Sequence, residues 1–103
     1  MIIIHIITAF GIGGAEKLLL NVMNRQAEEH SVHLIYFKPI DDLLPKLNNN
    51  IIVENIPFSF FITKKLKSYF KKVNPDIIHT HLGHADFLGL LSAKNIKCKS
   101  FCT

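Results

Sequence analysis

Cysteine is scarce in this sequence, and its two cysteines are poorly placed for a disulfide bond. Cys98 and Cys102 are four residues apart in a predicted strand. That spacing puts them on one face of the strand but about 13 Å apart, at roughly 3.3 Å per residue. A disulfide needs Cα atoms within about 7 Å, so we expect two free thiols and a reducing compartment.

Long hydrophobic runs and a leader segment are also lacking. No apolar stretch approaches the roughly 20 residues that a membrane-spanning helix needs. The opening residues, MIIIHIIT, contain neither a basic segment nor a small-residue cleavage site, so a signal peptide is not expected. These absences predict a cytoplasmic protein.

Charge is sparse and unevenly distributed. Charged residues are 19% of the 103 residues and hydrophobic residues 49%, which is typical of one small globular domain. Residues 1–50 carry four basic and five acidic side chains, whereas residues 51–103 carry eight lysines and three acidic side chains. A basic half can attract anionic lipid, nucleic acid or an anionic substrate, but it is more often only a solvated surface.

Apolar and amphipathic segments alternate along the chain. The pattern predicts strands over residues 2–8, 31–37, 51–56, 76–80 and 99–103. It predicts helices over residues 15–29, 60–73 and 85–94, with a short helical piece around residues 41–47. The alternation indicates an α/β, Rossmann-like fold, in which a parallel sheet carries helices on both faces.

Both long helices in the first three quarters of the chain are predicted to be amphipathic. On the first helix, apolar residues at helical spacing predict a buried stripe of Ala15, Leu18, Leu19, Val22 and Met23. On the second helix, the residues expected to face inward are Ile62, Leu66, Tyr69, Phe70 and Val73. The lysines of the second helix are expected to face solvent.

Two distant loops should meet at one edge of the sheet. In the usual strand order 3-2-1-4-5, the direction of winding reverses between the first and fourth strands. Open α/β sheets bind ligands at such a point, beyond the carboxyl ends of the strands. Residues 9–14 and 81–84, almost 70 residues apart, are therefore expected to flank a single crevice.

The first of these loops is rich in glycine. TAFGIGGAE, residues 8–16, connects the first strand to the first helix. Gly11, Gly13 and Gly14 should supply backbone freedom and let main-chain N–H groups approach an anion at the positive end of the helix dipole. The loop is not a dinucleotide-binding G-x-G-x-x-G, since residue 16 is Glu16, and it is not a P-loop. Glu16 suits the first helical turn because a carboxylate complements the dipole.

Histidines mark the second loop. His79, His81 and His84 are spaced like metal ligands, but zinc needs three or four converging ligands with further support. No such set is evident from the sequence, so we expect no metal. His81 stands at the carboxyl end of the fourth strand, where its imidazole could bind a hydroxyl or phosphate or act as a base. His5, His33 and His79 are expected to be strand residues packed in the sheet.

Two segments of the sequence together resemble a known family. IIIHIITAFGIGGAEKLLLNV and NPDIIHTHLGHADFLGLLSA are similar, in order and spacing, to the amino-terminal domain of family 4 glycosyltransferases, retaining enzymes of GT-B fold. The specific pieces are G-x-G-G-A-E after the first strand and D-I-I-H-T-H-x-x-H-A-D at the fourth. The resemblance implies two facing Rossmann-like domains, of which the first binds the acceptor and the second a nucleotide sugar.

The resemblance also implies roles for individual residues. The donor diphosphate would be bound by Gly13 and Gly14. The acceptor side would comprise Gly11, Glu16, His81 and His84. His81 is also the candidate catalytic residue. No cofactor or metal is implied, because the nucleotide sugar is a substrate.

Partners and location follow from the same resemblance. The enzyme would be of hexosyltransferase type, and its acceptor would be a saccharide or a lipid-linked compound in polysaccharide or glycolipid biosynthesis. It would work at the cytosolic face of the inner membrane, where the lysine face of residues 60–73 could rest on an anionic surface. Nucleic acid is not an expected partner.

The end of the sequence bears on its activity. The chain stops at SFCT, which implies an incomplete amino-terminal domain over residues 1–103 and no donor-binding domain. We expect the chain alone to be an inactive part of the transferase. The alternative is a non-catalytic sugar- or anion-binding module of the same fold. A third reading, another GT-B enzyme such as a nucleotide-sugar epimerase, is disfavoured by the histidine run.

Overall fold

The computed structural model describes residues 1–57 and 61–81, and the backbone of residues 99–102. Its strands are β1 (Ile2–Ile7), β2 (Ser31–Tyr36), β3 (Ile52–Asn55), β4 (Ile77–His81) and β5 (Lys99–Cys102). Its helices are α1 (Gly14–Gln26), a short 3-10 helix (Leu44–Lys46) and α2 (Ile62–Val73). The helix predicted over residues 85–94 lies outside the described residues.

The described strands form one parallel sheet in the order β3-β2-β1-β4-β5. This confirms the predicted order and places β1 in the centre, beside both β2 and β4. The β1–β4 ladder pairs His5 with His79 and Ile7 with His81. His81 therefore belongs to the strand, whereas the sequence placed it in the following loop, because its pairing with Ile7 extends the ladder by one residue.

Helices cover both faces of the sheet, as the α/β pattern predicts. On one face, α1 and the 3-10 helix pack over a core that includes Ile7, Phe10, Met23, Leu34 and Leu43. On the other face, α2 packs over a core that includes Ile4, Ile35, Leu66, Phe70 and Ile78. Side chains of a strand point alternately to the two faces, so the strands in the middle of this sheet carry apolar residues on both.

The buried side of α1 differs from the prediction. Leu19, Leu20 and Met23 are buried, whereas Leu18 is 66% exposed and Val22 39% exposed. Ala15 is also exposed. The observed and predicted stripes share Leu19 and Met23, so helical periodicity alone cannot choose between them. In the observed rotation, Gln26 of α1 also forms a hydrogen bond with His5 of β1.

The buried side of α2 follows the prediction more closely. Ile62, Leu66 and Phe70 are buried, and Tyr69 and Val73 are half-buried at the edge of the same core. The helix ends at Asn74, whose φ of 56° is left-handed, and Pro75 follows. None of the helices in the described ranges has the length and apolar character needed to cross a membrane.

The rotation of α1 can be tested with two leucines of the same helix. Leu20→Ala should lower the free energy of unfolding by about 2–5 kcal/mol, because it opens a cavity in a packed core. Leu18→Ala should change that free energy by at most about 0.5 kcal/mol, because Leu18 is exposed. Urea unfolding followed by circular dichroism measures both. Equal losses would contradict the observed rotation.

Candidate functional site

The glycine-rich loop is anchored to the segment that follows β2. The Phe10 amide donates to the carbonyl of Ile40 at 2.9 Å, and the amides of Phe37 and Lys38 donate to the carbonyl of Thr8 at 3.0 and 2.8 Å. The Phe10 side chain is fully buried beneath the loop. These bonds prolong the β1–β2 pairing beyond the strands, so the loop is held at the carboxyl edge of the sheet.

Close contacts, and not an unusual backbone, distinguish two of the three glycines of this loop, Gly11 and Gly13. None of Gly11, Gly13 and Gly14 has a left-handed φ, and Gly13 is extended, with φ −77° and ψ 165°. The expectation that they supply backbone freedom is therefore wrong. A Cβ on Gly13 would lie 2.6 Å from Oε1 of Glu16 and 2.8 Å from Oε2. A Cβ on Gly14 would meet nothing within 4 Å.

The start of α1 presents free backbone donors beside this open space. Gly13 is the N-cap, and the first helical hydrogen bond runs from the Lys17 amide to the Gly13 carbonyl at 3.0 Å. The amides of Gly14, Ala15 and Glu16 thus precede the first bond of the helix. Together with the helix dipole, such amides favour an anionic or strongly polar ligand.

Two carboxylates flank the same loop. Oε2 of Glu16 lies 3.8 Å, and Oδ2 of Asp42 3.6 Å, from the point that a Cβ on Gly11 would occupy. Glu16 is half-buried over Gly13, and Asp42 is exposed. Carboxylate oxygens only accept hydrogen bonds, so this side of the loop suits hydroxyl groups better than phosphate. Sequence reasoning missed Asp42, although its place in the loop after β2, the neighbour of β1, was a usable signal.

Three histidines form a cluster on the α1 face of the sheet. Their ring centroids are 5.4 Å apart for His5 and His79, 5.3 Å for His5 and His81, and 4.0 Å for His79 and His81. One potential ligand atom from each ring lies within 4.8 Å of the other two. His5 is buried, and His79 and His81 are half-buried. We call these three residues the histidine cluster.

Hydrogen bonds order the cluster around His5. Nε2 of His5 lies 2.7 Å from Oε1 of Gln26, and Nδ1 of His5 lies 3.1 Å from Nε2 of His81. Because an amide oxygen only accepts, His5 donates from Nε2 and its Nδ1 carries the lone pair. The Nε2–H of His81 then donates to that lone pair. This assignment of protons rests on the hydrogen-bond network.

Burial keeps His5 and His81 uncharged. It lowers the pKa of His5 to about 4, against the opposing effect of the hydrogen bond that His5 donates to Gln26, and His79 adds a further lowering. Burial, followed by the nearby His79 and His5, lowers the pKa of His81 to about 3. Both imidazoles are therefore neutral at physiological pH. A base with so low a pKa has little driving force for taking a proton from a hydroxyl.

His33 belongs to the opposite face of the sheet. Its Nδ1 lies 2.8 Å from the hydroxyl of Tyr69 on α2, and burial lowers the pKa of His33. Burial, with a contribution from Glu54, raises the pKa of Tyr69 to about 12, so this pair is a neutral hydrogen bond within the sheet–helix packing. The sequence prediction that His33 is a packed strand residue is confirmed.

The predicted site residues are brought together only in part. Gly11, Gly13, Gly14 and Glu16 form one loop at the carboxyl edge of β1, and His81 ends the adjacent strand β4. The imidazole of His81, however, bonds to His5 on the α1 face of the sheet. His84 lies outside the described residues. The sequence suggested His79, His81 and His84 as a possible set of three, with His5 as a simple strand residue. In the structure the imidazole of His5 converges with those of His79 and His81.

Comparisons with known proteins give a family and a fold. The model of Glycosyltransferase Family 4 matches residues 12–103. The chain is similar to the apo form of the lipopolysaccharide outer core galactosyltransferase WaaB, with a TM-score of 0.66 and 20% identity over 99% of this chain. It spans 32% of the length of that protein. No relative among the curated proteins matches the sequence.

A second similar structure shows that the fold alone does not indicate a function. The chain is similar to the C-terminal domain of a hydrogenase from Pyrococcus furiosus, with a TM-score of 0.63 and 16% identity. That match covers 99% of this chain and 90% of the other. Since two proteins with such different names share the fold, structural likeness at these identities says nothing of the reaction.

The histidine cluster should make stability fall in acid. With folded pKa values of about 4 for His5 and about 3 for His81, and 6.5 as the ordinary value, only the unfolded chain takes up protons just below pH 6.5. The free energy of unfolding should be constant above that pH. It should then fall by up to about 1.4 kcal/mol per pH unit for each histidine down to about pH 4.

Urea unfolding between pH 7.5 and 4.5, in buffer with a chelator, measures this slope. His81→Gln should reduce the slope, because the glutamine cannot be protonated. Leu18→Ala, which removes an exposed apolar side chain and no titratable group, should leave the slope unchanged. Equal slopes for the wild type and His81→Gln would contradict the prediction.

A double-mutant cycle tests the packing of Glu16 over Gly13. Gly13→Ala should cost about 1 kcal/mol of stability, because the new methyl group displaces the Glu16 carboxylate and alanine is a poorer N-cap. In a Glu16→Ala background the steric part should vanish. Gly14→Ala is the control and should be neutral or stabilising by up to about 1 kcal/mol, since its Cβ faces open space. Strictly additive effects would refute the contact.

Proposed function

Since this chain belongs to glycosyltransferase family 4, we propose that it forms the acceptor-side part of a retaining glycosyltransferase. The whole enzyme would transfer a sugar from a nucleotide sugar to a saccharide or lipid-linked acceptor. The chain spans only 32% of the length of the similar galactosyltransferase. The donor-binding domain is therefore assigned to further sequence, and we expect residues 1–103 alone to be inactive.

The observation that carries this proposal is the two-sided character of the glycine loop. On one side, the amides of the first turn of α1 precede the first helical hydrogen bond, and a Cβ on Gly14 would meet nothing within 4 Å. On the other side, the carboxylates of Glu16 and Asp42 flank Gly11. An enzyme that joins an anionic donor to a hydroxyl-rich acceptor needs both kinds of surface within one site.

The donor diphosphate is assigned to the Gly13–Gly14 side. Backbone amides at a helix N-terminus stabilise negative charge, and charge develops on the diphosphate as the sugar leaves. Gly14 serves this purpose more directly than Gly13, because the Glu16 carboxylate covers Gly13. Neutralisation by amides and the helix dipole requires no cofactor.

The acceptor is assigned to Gly11, Glu16 and His81. We add Asp42 to this group because its carboxylate lies beside Gly11. Glu16 and Asp42 would accept hydrogen bonds from sugar hydroxyls. His81 is neutral, with a pKa lowered to about 3 by burial and by its histidine neighbours. It is better suited to hydrogen bonding the acceptor than to removing its proton, so its catalytic role stays a prediction. The role of His84 also stays a prediction.

The basic face of α2 supports a place at an anionic membrane surface. Lys64, Lys65, Lys71 and Lys72 are exposed, and Lys67 is half-buried. The apolar face of α2 is already buried against the sheet, so attraction to lipid would be electrostatic, at about 1 kcal/mol per lysine near the surface. This supports a cytoplasmic enzyme bound peripherally at the inner membrane face.

Substitution of Glu16 in the full-length protein tests the proposed site. Glu16→Gln should lower kcat/KM for the acceptor about 10- to 100-fold, as expected when a hydrogen bond to a charged group is lost. Glu28→Gln, an exposed carboxylate beyond the far end of α1, should leave kcat/KM unchanged. Sugar transfer is followed by release of the nucleoside diphosphate from a panel of nucleotide sugars.

Two results would contradict the proposal. Transfer from none of the donors by the folded full-length protein would refute the enzymatic function. If Glu16→Gln transfers sugar as well as the wild type does, the assignment of Glu16 to the acceptor site is refuted, but the proposed transferase function is not.

A further inference from the structure

We infer that His5, His79 and His81 form a binding site for a divalent transition-metal ion of the Zn²⁺ class. The site lies on the α1 face of the sheet. The proposed transferase site lies beyond the carboxyl ends of the strands, so this inference does not rest on the proposed function. His81 is the residue at which the two regions adjoin.

The backbone aligns the three imidazoles on one surface. His5 and His79 are opposite one another in the β1–β4 ladder, and His81 follows His79 by two residues on the same face. The strands therefore hold three rings in a compact triangle without any loop. Rigid elements position metal ligands more reliably than loops do.

The distances are close to those of a metal site. Zn–N bonds of about 2.0–2.1 Å in tetrahedral geometry place two ligand nitrogens about 3.3 Å apart. Nδ1 of His5 and Nε2 of His81 are already 3.1 Å apart. The longest separation in the cluster is within 4.8 Å. Binding would thus require one ring to move by about 1.5 Å, which a change in side-chain torsion supplies.

The chemistry of the cluster selects the kind of metal. The cluster offers one ring nitrogen from each of three histidines and no carboxylate oxygen. Imidazole nitrogen suits Zn²⁺, Co²⁺, Ni²⁺ and Cu²⁺. Mg²⁺ and Ca²⁺ require oxygen ligands. Three histidines leave a fourth tetrahedral position for water, and the partial exposure of His79 and His81 gives that water access among the residues that the structure describes.

Gln26 supplies the support that metal-binding histidines need. Its Oε1 accepts the Nε2–H of His5 and so directs the lone pair of Nδ1 toward the other two rings. On binding, the proton on Nε2 of His81 would move to Nδ1 of the same ring. The nitrogen that now donates to His5 would then ligate the metal, and no net charge would be left on the ring.

The expected effect of the metal is to stabilise the fold. The ion would join the central strand β1 to β4 and, through Gln26, both strands to α1. The test uses the full-length protein, freed of metal with EDTA and dialysed. Co²⁺ titration followed by visible absorption and Zn²⁺ titration calorimetry measure the stoichiometry, and thermal unfolding with and without Zn²⁺ measures the stabilisation.

The wild type should bind one equivalent of metal, and His79→Ala should not bind it. Metal binding should raise the Tm of the wild type, and EDTA should reverse that increase. His30→Ala, which removes a histidine remote from the cluster, should retain that equivalent. Gln26→Ala should weaken the affinity about 10- to 100-fold, as for other residues that orient a ligand. Circular dichroism checks that each variant is folded. If His79→Ala is unfolded, His81→Gln is used in its place.

The inference is overturned if the wild type binds no Zn²⁺ or Co²⁺ at micromolar concentrations. It is equally overturned if the bound equivalent survives in both His79→Ala and His81→Gln, since the metal would then lie elsewhere in the full-length protein. Transferase activity plays no part in either readout, so a failure here leaves the proposed function untouched.

Discussion

The pairing of β1 with β4 sets which side chains meet on each face of the sheet. β1 lies in the middle of the sheet, where Ile4 and Ile6 on one face and His5 on the other are fully buried. A slip of one residue would turn every side chain of a strand to the opposite face. It would separate His5 from His79 and remove the apolar residues that α2 covers. The register thus fixes the core and the histidine cluster together.

Polar groups enter this core only with partners, and their partners restrict what they can do. His5 bonds to Gln26 and His81, and His33 bonds to Tyr69. Burial lowers the pKa of His5, His33 and His81, so these three act as neutral imidazoles. At the carboxyl edge of β1, by contrast, the carboxylates of Glu16 and Asp42 approach Gly11.

Much of the fold could be predicted, and less of the site. The described helices and strands lie within three residues of the predicted bounds, and the strand order is as predicted. The predicted rotation of α1 was wrong, because the three successive leucines Leu18 to Leu20 are compatible with two different buried stripes. The predicted role of the loop glycines was wrong, because the sequence of a turn does not show that the Glu16 side chain lies close to Gly13.

The order and type of the elements could be predicted from the amino-acid sequence, because hydrophobic periodicity and turn residues act over a few neighbouring positions. The sequence also contains the motifs by which the family is identified. The folded chain was needed to show that His5 joins His79 and His81, residues more than 70 positions away, and that Asp42 approaches the glycine loop. Such contacts depend on the register between strands and on helix rotation, which many distant residues set jointly and no local pattern records.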